Sequence, residues 1–280
     1  MKFGIVIRST GERTEEVAHY AAINDPHVSE VKIVRNISPL YKAVLETHKI
    51  FWEWRNKYEY VISLDADVIP FPGFGKWFQN ILEKQLYPKY SRWLPPLLDW
   101  VIQGRWRTAG GLFMYKSEET KEIYERCLES SDLLEPEHNY FIFDGLKGEE
   151  WRPKLEQKGE ILAIHQYKQE LDIYFYRGIV HTLRVKNWLR PGVQKYADEG
   201  FPEYKMFLKG IEWAEKYNKG YMNAEDSTFR NNPIFQEGFY NAKNSLNLSN
   251  IDNDKPLKYE EIISEVRKEL PLNMYLINDK

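Results

Sequence analysis

The stretch Tyr60–Phe74, YVISLDADVIPFPGF, decides the fold. Tyr60 to Leu64 form an apolar run with strand character, and it delivers two carboxylates, Asp65 and Asp67. Pro70, Pro72, Gly73 and Gly75 then end the strand sharply. Alternate side chains of a strand share a face, so the two aspartates converge if the strand, or a tight turn at its end, carries through them. Such a pair suits one hard divalent cation of the Mn²⁺ or Mg²⁺ type. These ions take oxygen ligands and often bind through one or two carboxylates plus substrate phosphates. The same residues also describe an acidic loop after a buried strand, and Asp-x-Asp alone does not separate the two readings.

Working outward, Phe3–Ile7 (FGIVI) is a second apolar run, broken by Ser9, Thr10 and Gly11 and followed by RTEEVAHYAAI with helical spacing. Val31–Val34 (VKIV) predicts another strand, and AVLETHKIFWEW an amphipathic helix leading into the Tyr60 strand. Strands alternating with helices predict a mostly parallel, Rossmann-like α/β sheet with right-handed crossovers. Ligands of such sheets bind beyond the carboxyl ends of the strands, where RSTGER and DAD both fall. Backbone donors ahead of a helix suit an anion, which makes Arg8, Ser9, Thr10 and Arg13 candidate binding residues; a capped helix with solvated charges is the alternative. Lys42 opens the next helix and is a further candidate.

Farther on, Pro88–Gly104 reads as an irregular excursion, and TAGGLFMY (Thr108–Tyr115) as a strand with glycines at its start. SEETKEIYERCLESS begins at Ser117 with a capping-box pattern. ILAIHQY and YRGIVHTLRVKNW read as β-rich pieces. After Pro191 the chain turns helical through EYKMFLKGIEWAEKYNKG and YEEIISEVRKEL, with an Asn-rich connection, NAKNSLNLSNIDND, between them. The expected division is residues 1–190 for the α/β domain and 191–280 for a mainly helical extension.

Composition bounds the function classes. The 280 residues suffice for one large α/β domain with an appendage. A net charge of -3, from 39 basic and 42 acidic residues, supplies no broad positive field for nucleic acid. The single cysteine, Cys127, leaves no internal disulfide and no cysteine-rich zinc site, so any metal sits on oxygen and nitrogen, and it fits a reducing, cytoplasmic setting. The FGIVI run is too short and too soon followed by charge for a signal peptide or membrane span. The sequons at Asn36 and Asn247 carry no weight without a secretion signal.

VISLDADVIP resembles the DxD segment of nucleotide-diphospho-sugar glycosyltransferases of the GT-A fold. TAGGLFMYKSE is similar to the strand after that motif in glycogenin-like and galactinol-synthase-like enzymes. GIVHTLRVKNW resembles their late metal-ligand segment, H-x-x-G-x-x-K-P-W. The likeness runs in order over roughly residues 1–191. It implies a GT-A domain and transfer of a sugar from a nucleotide-diphosphate donor, by default a uridine (UDP) nucleotide, to a glycan, protein or small-molecule acceptor, with a tilt to retention of configuration. Asp65, Ala66 and Asp67 become donor and metal residues, His181 the third metal ligand and Lys186 the diphosphate contact, with Trp188 at the motif's tryptophan. The Arg8–Arg13 loop matches the first donor loop. Glu137 and Asp144, in EPEHNYFIFDGL, take the position of the acidic residue near the anomeric carbon, with Asp172 a third option.

Four departures from the pattern stand out: the His181–Lys186 interval is one residue short, the motif's glycine is missing, Asn187 replaces proline, and Ala109 replaces asparagine. His165, which also ends a β-type run, competes with His181 as third ligand, and a core histidine is the plain alternative for either. Haloacid-dehalogenase-type phosphatases also use strand-D-x-D. Their motif sits on the first strand with Thr or Val where this chain has Ile69. A sugar-1-phosphate nucleotidyltransferase would carry a different glycine-rich first loop. A non-catalytic carbohydrate-binding or scaffolding protein on the same fold, and a homo-oligomer, remain compatible with the sequence.

Overall fold

The computed structural model describes residues 1–37, 40–83, 90–100, 106–107, 110–129, 149–151, 160–185, 190–217, 229–248, 256–269 and 275–276. The chain divides into two compact units: Met1–Tyr167 together with Leu257–Lys280, and Lys168–Pro256. The first unit is thus discontinuous in sequence, where a single boundary near residue 190 was expected.

The first unit is built on strands β1 (Phe3–Ser9), β2 (Val28–Arg35) and β3 (Tyr60–Asp65), joined through helices α1 (Glu15–Asn24) and α2 (Leu40–Trp54). β1 lies between β2 and β3 and runs parallel to both. It is buried along its whole length, as a central parallel strand covered on both faces should be. Val6 and Val61 join Val44, Phe51 and Trp54 of α2 in one hydrophobic cluster. On the opposite face, Phe3 meets Phe78 of α3 (Phe74–Glu83) edge to face, with ring centroids 6.4 Å apart. The mixed α/β class expected from the strand–helix alternation is the one observed, with a Rossmann-like parallel half.

Beyond β3 the sheet changes sense. Strands β4 (Val68–Pro70), β5 (Tyr90–Trp93), β6 (Leu97–Asp99), β7 (Trp106–Arg107), β8 (Leu112–Lys116) and β9 (Glu149–Trp151) follow in the chain. The large sheet has the order β2-β1-β3-β8-β5-β9, with β8 antiparallel to both neighbours. The region read as an irregular excursion therefore contains two strands. β6 joins a smaller sheet, β4-β11-β6-β7, in which β11 (Ala163–His165) runs antiparallel to β4 and parallel to β6. A further two-stranded pairing joins β10 (Glu160–Ile161) to β12 (Tyr275–Leu276). Ser117 does not cap a helix directly: a 3₁₀ turn, Ser117–Glu119, precedes α4 (Thr120–Glu129), and the Thr120 hydroxyl donates to the Ser117 carbonyl at 2.6 Å.

The second unit is helical among its described residues: α5 (Leu171–Val185), α6 (Arg190–Asp198), α7 (Pro202–Tyr217) and α8 (Pro233–Ser245). Two expectations are corrected here. YRGIVHTLRV is helix, not β-rich, because Leu171, Tyr174, Phe175, Gly178 and Ile179 recur at helical spacing and bury one face. The start of the Asn-rich connection, Asn241–Ser245, is also helix. Asn232 caps α8, its side chain accepting from the Ile234 and Phe235 amides at 2.9 and 3.3 Å, and Pro233 fits the first turn, where no amide is needed.

α5 and α7 cross backbone to backbone at Gly178 and Gly210. A Cβ on Gly178 would lie 2.1 Å from the Phe207 carbonyl oxygen, and one on Gly210 would lie 2.0 Å from that of Phe175. Neither neighbour is a side chain that could swing away. Gly178→Ala is expected to cost about 1–3 kcal/mol through overpacking. A thermal melt read by circular dichroism should show a clear fall in Tm, and an unchanged Tm would mean that the helices do not approach this closely.

Candidate active site

The candidate site forms where β1 and β3 end side by side. Arg8 and Asp65 are register partners on these parallel strands, so their side chains stand on the same face. The Arg8 Nε donates to Asp65 Oδ1 at 2.8 Å, and the arginine is buried while the aspartate is about one-third exposed. Ala66 ties the two strand ends together. Its amide donates to the Arg8 carbonyl at 2.9 Å, and its carbonyl accepts from the buried Thr14 hydroxyl at 2.6 Å. The Ala66 backbone thus serves the protein's own loops.

Gly111 closes the site from β8. It sits at φ +77°, its carbonyl accepts from the Asp65 amide at 2.6 Å, and a Cβ there would lie 2.6 Å from Val68 Cγ2 and 2.9 Å from Asp65 Oδ2. Only glycine satisfies both the left-handed backbone and the close approach.

The loop after β1 is organised by a carboxylate that the sequence reading passed over. Glu12 accepts from the Ser9 hydroxyl at 2.8 Å, the Thr10 amide at 2.8 Å and the Thr10 hydroxyl at 2.7 Å. Burial pushes the Glu12 carboxyl above its ordinary value, and the negative charge of Asp67 adds to the rise. Like charge at Asp67 thus acts with burial to favour the protonated Glu12 carboxyl.

Asp67, 8% exposed, is followed at once by β4 and meets His165, at the end of β11, with 3.3 Å between His165 Nε2 and Asp67 Oδ2. The other ring nitrogen, Nδ1, lies 3.4 Å from Oδ2 of Asp99, the last residue of β6. The Gln166 amide donates to the Asp67 carbonyl at 2.7 Å, and Gln166 itself takes the left-handed conformation, φ 59°. A buried non-glycine residue in that region is a mark of a constrained site.

The structure therefore brings together Arg8, Ser9, Thr10, Asp65, Ala66, Asp67 and His165. His181 belongs to α5 of the second unit, its ring 5.4 Å from that of Phe207. A helical turn, not a strand end, presents it. Arg13 is half-buried beside the loop's end, and Lys42 is exposed in the first turn of α2. Asp172, in the first turn of α5, is bound to Arg230, with 2.6 Å between its Oδ2 and the arginine Nε. Glu137, Asp144, Lys186 and Trp188, with Thr108 and Ala109 of the glycine-rich segment, lie outside the described residues.

Asp99 was missed because it follows prolines in a stretch read as irregular, yet PLLD repeats in miniature the signal of YVISLD, an apolar run delivering an aspartate. Among the described residues no group of three or more His, Cys, Asp or Glu side chains is arranged to hold a metal ion unaided. A site completed by diphosphate oxygens needs only one or two carboxylates, and this pair, with an imidazole nitrogen beside it, has the right donor chemistry.

No family model matches the chain, and no curated protein matches it in sequence. Among solved structures, A197 from STIV is similar at TM-score 0.34 and 17% identity, over 44% of this chain and 68% of that one. A glycosyltransferase involved in the glycosylation of the major capsid of PBCV-1 is similar at TM-score 0.40 and 11% identity, over 59% and 93%. A cytidylyltransferase from Leptospira borgpetersenii serovar Hardjo-bovis is similar at TM-score 0.35 and 10% identity, over 77% and 94%. The chemistry of the site is read from its own residues, without support from these likenesses.

The Glu12 shift sets a pH dependence. An acid whose folded pKa is raised favours the fold when protonated; that contribution is fully present below the unfolded pKa and is lost as pH rises through the folded value. Glu12→Gln is expected to raise Tm relative to the parent protein at pH 7–8, with the difference closing at acid pH. Melts across that range check it, and a variant less stable at neutral pH would show that the ionised carboxylate holds the loop together.

Proposed function

We propose that this protein is a glycosyltransferase that takes a sugar from a nucleotide-diphosphate donor, with a divalent cation of the Mn²⁺ or Mg²⁺ type at the Asp65–Asp67 segment. The observation that carries this reading is the meeting of Arg8, Thr14, the Asp65–Asp67 segment and His165 at the carboxyl ends of β1, β3 and β11. Strand ends are where open α/β sheets take their ligands. Asp65 already faces a guanidinium, so Asp67 is the aspartate better placed to attract a cation.

In this reading a bound cation offsets the charge that builds on the departing diphosphate. The protein's own groups do the rest. Asp67 holds the cation-side end of the donor, and His165 takes the place that the resemblance gave to His181. Arg8 fixes Asp65, and the Ser9–Thr10 loop, whose hydroxyls and Thr10 amide donate to Glu12, is proposed to border the nucleotide together with Arg13. Lys42 and Lys186 are proposed to add compact positive charge near the phosphates. Asp144 and Glu137 remain the proposed groups at the anomeric carbon, the donor nucleotide is proposed as uridine, and retention of configuration is the proposed outcome.

Calorimetry with a panel of nucleoside diphosphates, with and without a chelator, is the direct test. Binding that requires Mn²⁺ or Mg²⁺ is expected. Absent binding across the panel, or binding indifferent to chelator, would overturn the proposal. Asp67→Asn is expected to lower the turnover rate by about 10² or more while leaving the melt cooperative, because it removes charge without changing volume. His165→Ala should weaken cation-dependent binding of the diphosphate, and His181→Ala should not. The reverse pattern would return the ligand role to α5.

A further inference from the structure

Asp99 has no part in the reading so far, yet it is the most deeply buried of the three polar residues at this end of the smaller sheet, at 3% exposure against 5% for His165 and 8% for Asp67. It is the register partner of His165 across the parallel β6–β11 pair, so the two side chains stand on one face. On its other side β11 pairs with β4, and His165 is opposite Val68, the residue after Asp67. The three strands thus set one imidazole between two carboxylates, with Nε2 at 3.3 Å from Asp67 and Nδ1 at 3.4 Å from Asp99. Each ring nitrogen faces a different acid. The Nδ1 contact is at ion-pair distance without hydrogen-bond alignment. Such contacts commonly tighten when a polar site is loaded.

A neutral imidazole has one N–H and one lone pair, and the partner of the first decides where the second points. A carboxylate behind a ligating histidine fixes tautomer and ring orientation and makes the other nitrogen more basic. We propose that Asp99 is the positioning residue of this site: it accepts the Nδ1 proton of His165 and so assigns Nε2, with its lone pair, to the side occupied by Asp67 and the donor diphosphate. The proposal rests on the diphosphate reading of the Asp65–Asp67 segment, because a lone pair on Nε2 faces the Asp67 carboxylate at 3.3 Å and is favoured only when a cation stands between these two acceptors.

The test uses the ¹⁵N-labelled full chain with Mg²⁺ and UDP, and again without them. Long-range ¹H–¹⁵N correlations report which ring nitrogen of each of the six histidines carries the proton, and His165 is assigned by its loss in His165→Gln. With Mg²⁺ and UDP bound, Nδ1 protonated and Nε2 bare is the expected result, and without them Nε2 is expected to carry a proton toward Asp67. In the loaded state a bare Nδ1, or a proton on Nε2, would overturn the proposal. Mn²⁺ affinity in the presence of UDP, read by electron paramagnetic resonance, should fall about 10- to 100-fold in Asp99→Ala, and less in Asp99→Asn, which keeps an acceptor oxygen. If Asp99→Ala binds Mn²⁺ as the parent does while His165→Ala does not, Asp99 has no positioning role and the diphosphate reading survives. If Asp67→Asn and His165→Ala both bind as the parent does, the diphosphate reading itself has failed. Should Asp99→Ala not fold, the parent tautomer and Asp99→Asn decide the matter.

Discussion

The parallel pairing of β1 with β3 is the constraint on which the site depends. It sets Arg8 against Asp65 in register, and the Ala66 amide extends the ladder by one more hydrogen bond to the Arg8 carbonyl. A slip of one residue would send both side chains to the opposite face and separate the loop after β1 from the aspartates. The pairing of Arg8 with Asp65 opposes that slip, because the displaced guanidinium would be buried without its carboxylate.

Around this pairing the electrostatics divide unequally. One aspartate has a guanidinium as its neighbour, and the other has an imidazole and raises the pKa of a nearby glutamate. Two carboxylates one residue apart therefore have different surroundings, because β3 ends between them and the second enters the smaller sheet. That difference gives the motif a polarity: a side anchored in the large sheet and a side open to charge.

The sequence carried the α/β half of the first unit well. Buried strands with unbroken apolar runs, each ended by polar or turn residues, leave few alternatives, and the Tyr60 strand ends at Asp65 as read. The antiparallel part was less legible, since β6 and β11 have three residues each and owe their state to their neighbours and not to any period of their own. The Leu171–Val185 segment misled because Tyr, Ile and Val are β-favouring types, while the packing that makes them helical, centred on Gly178, is a tertiary fact. Spacing did not show that His165 meets two aspartates: both histidines follow apolar residues, and the contact comes from the β4–β11–β6 pairing.

The last described helix, α9 (Tyr259–Glu269), belongs to the first unit, and the Tyr259 hydroxyl donates to the carbonyl of Pro70, a residue 189 positions earlier, at 2.8 Å. The Tyr167 hydroxyl, two residues beyond His165, likewise donates to Glu265 of that helix at 2.7 Å. On the ribosome, β4 and β11 emerge long before the helix that braces them, and the whole second unit is synthesised in between. The sheet that bears the histidine stays incompletely covered until that helix has followed, so the second unit can fold early as a local helical body while the first remains open. Consolidation of the candidate site is thereby tied to the arrival of α9, and a nascent chain stalled before Tyr259 would hold the two aspartates without the brace on their flank.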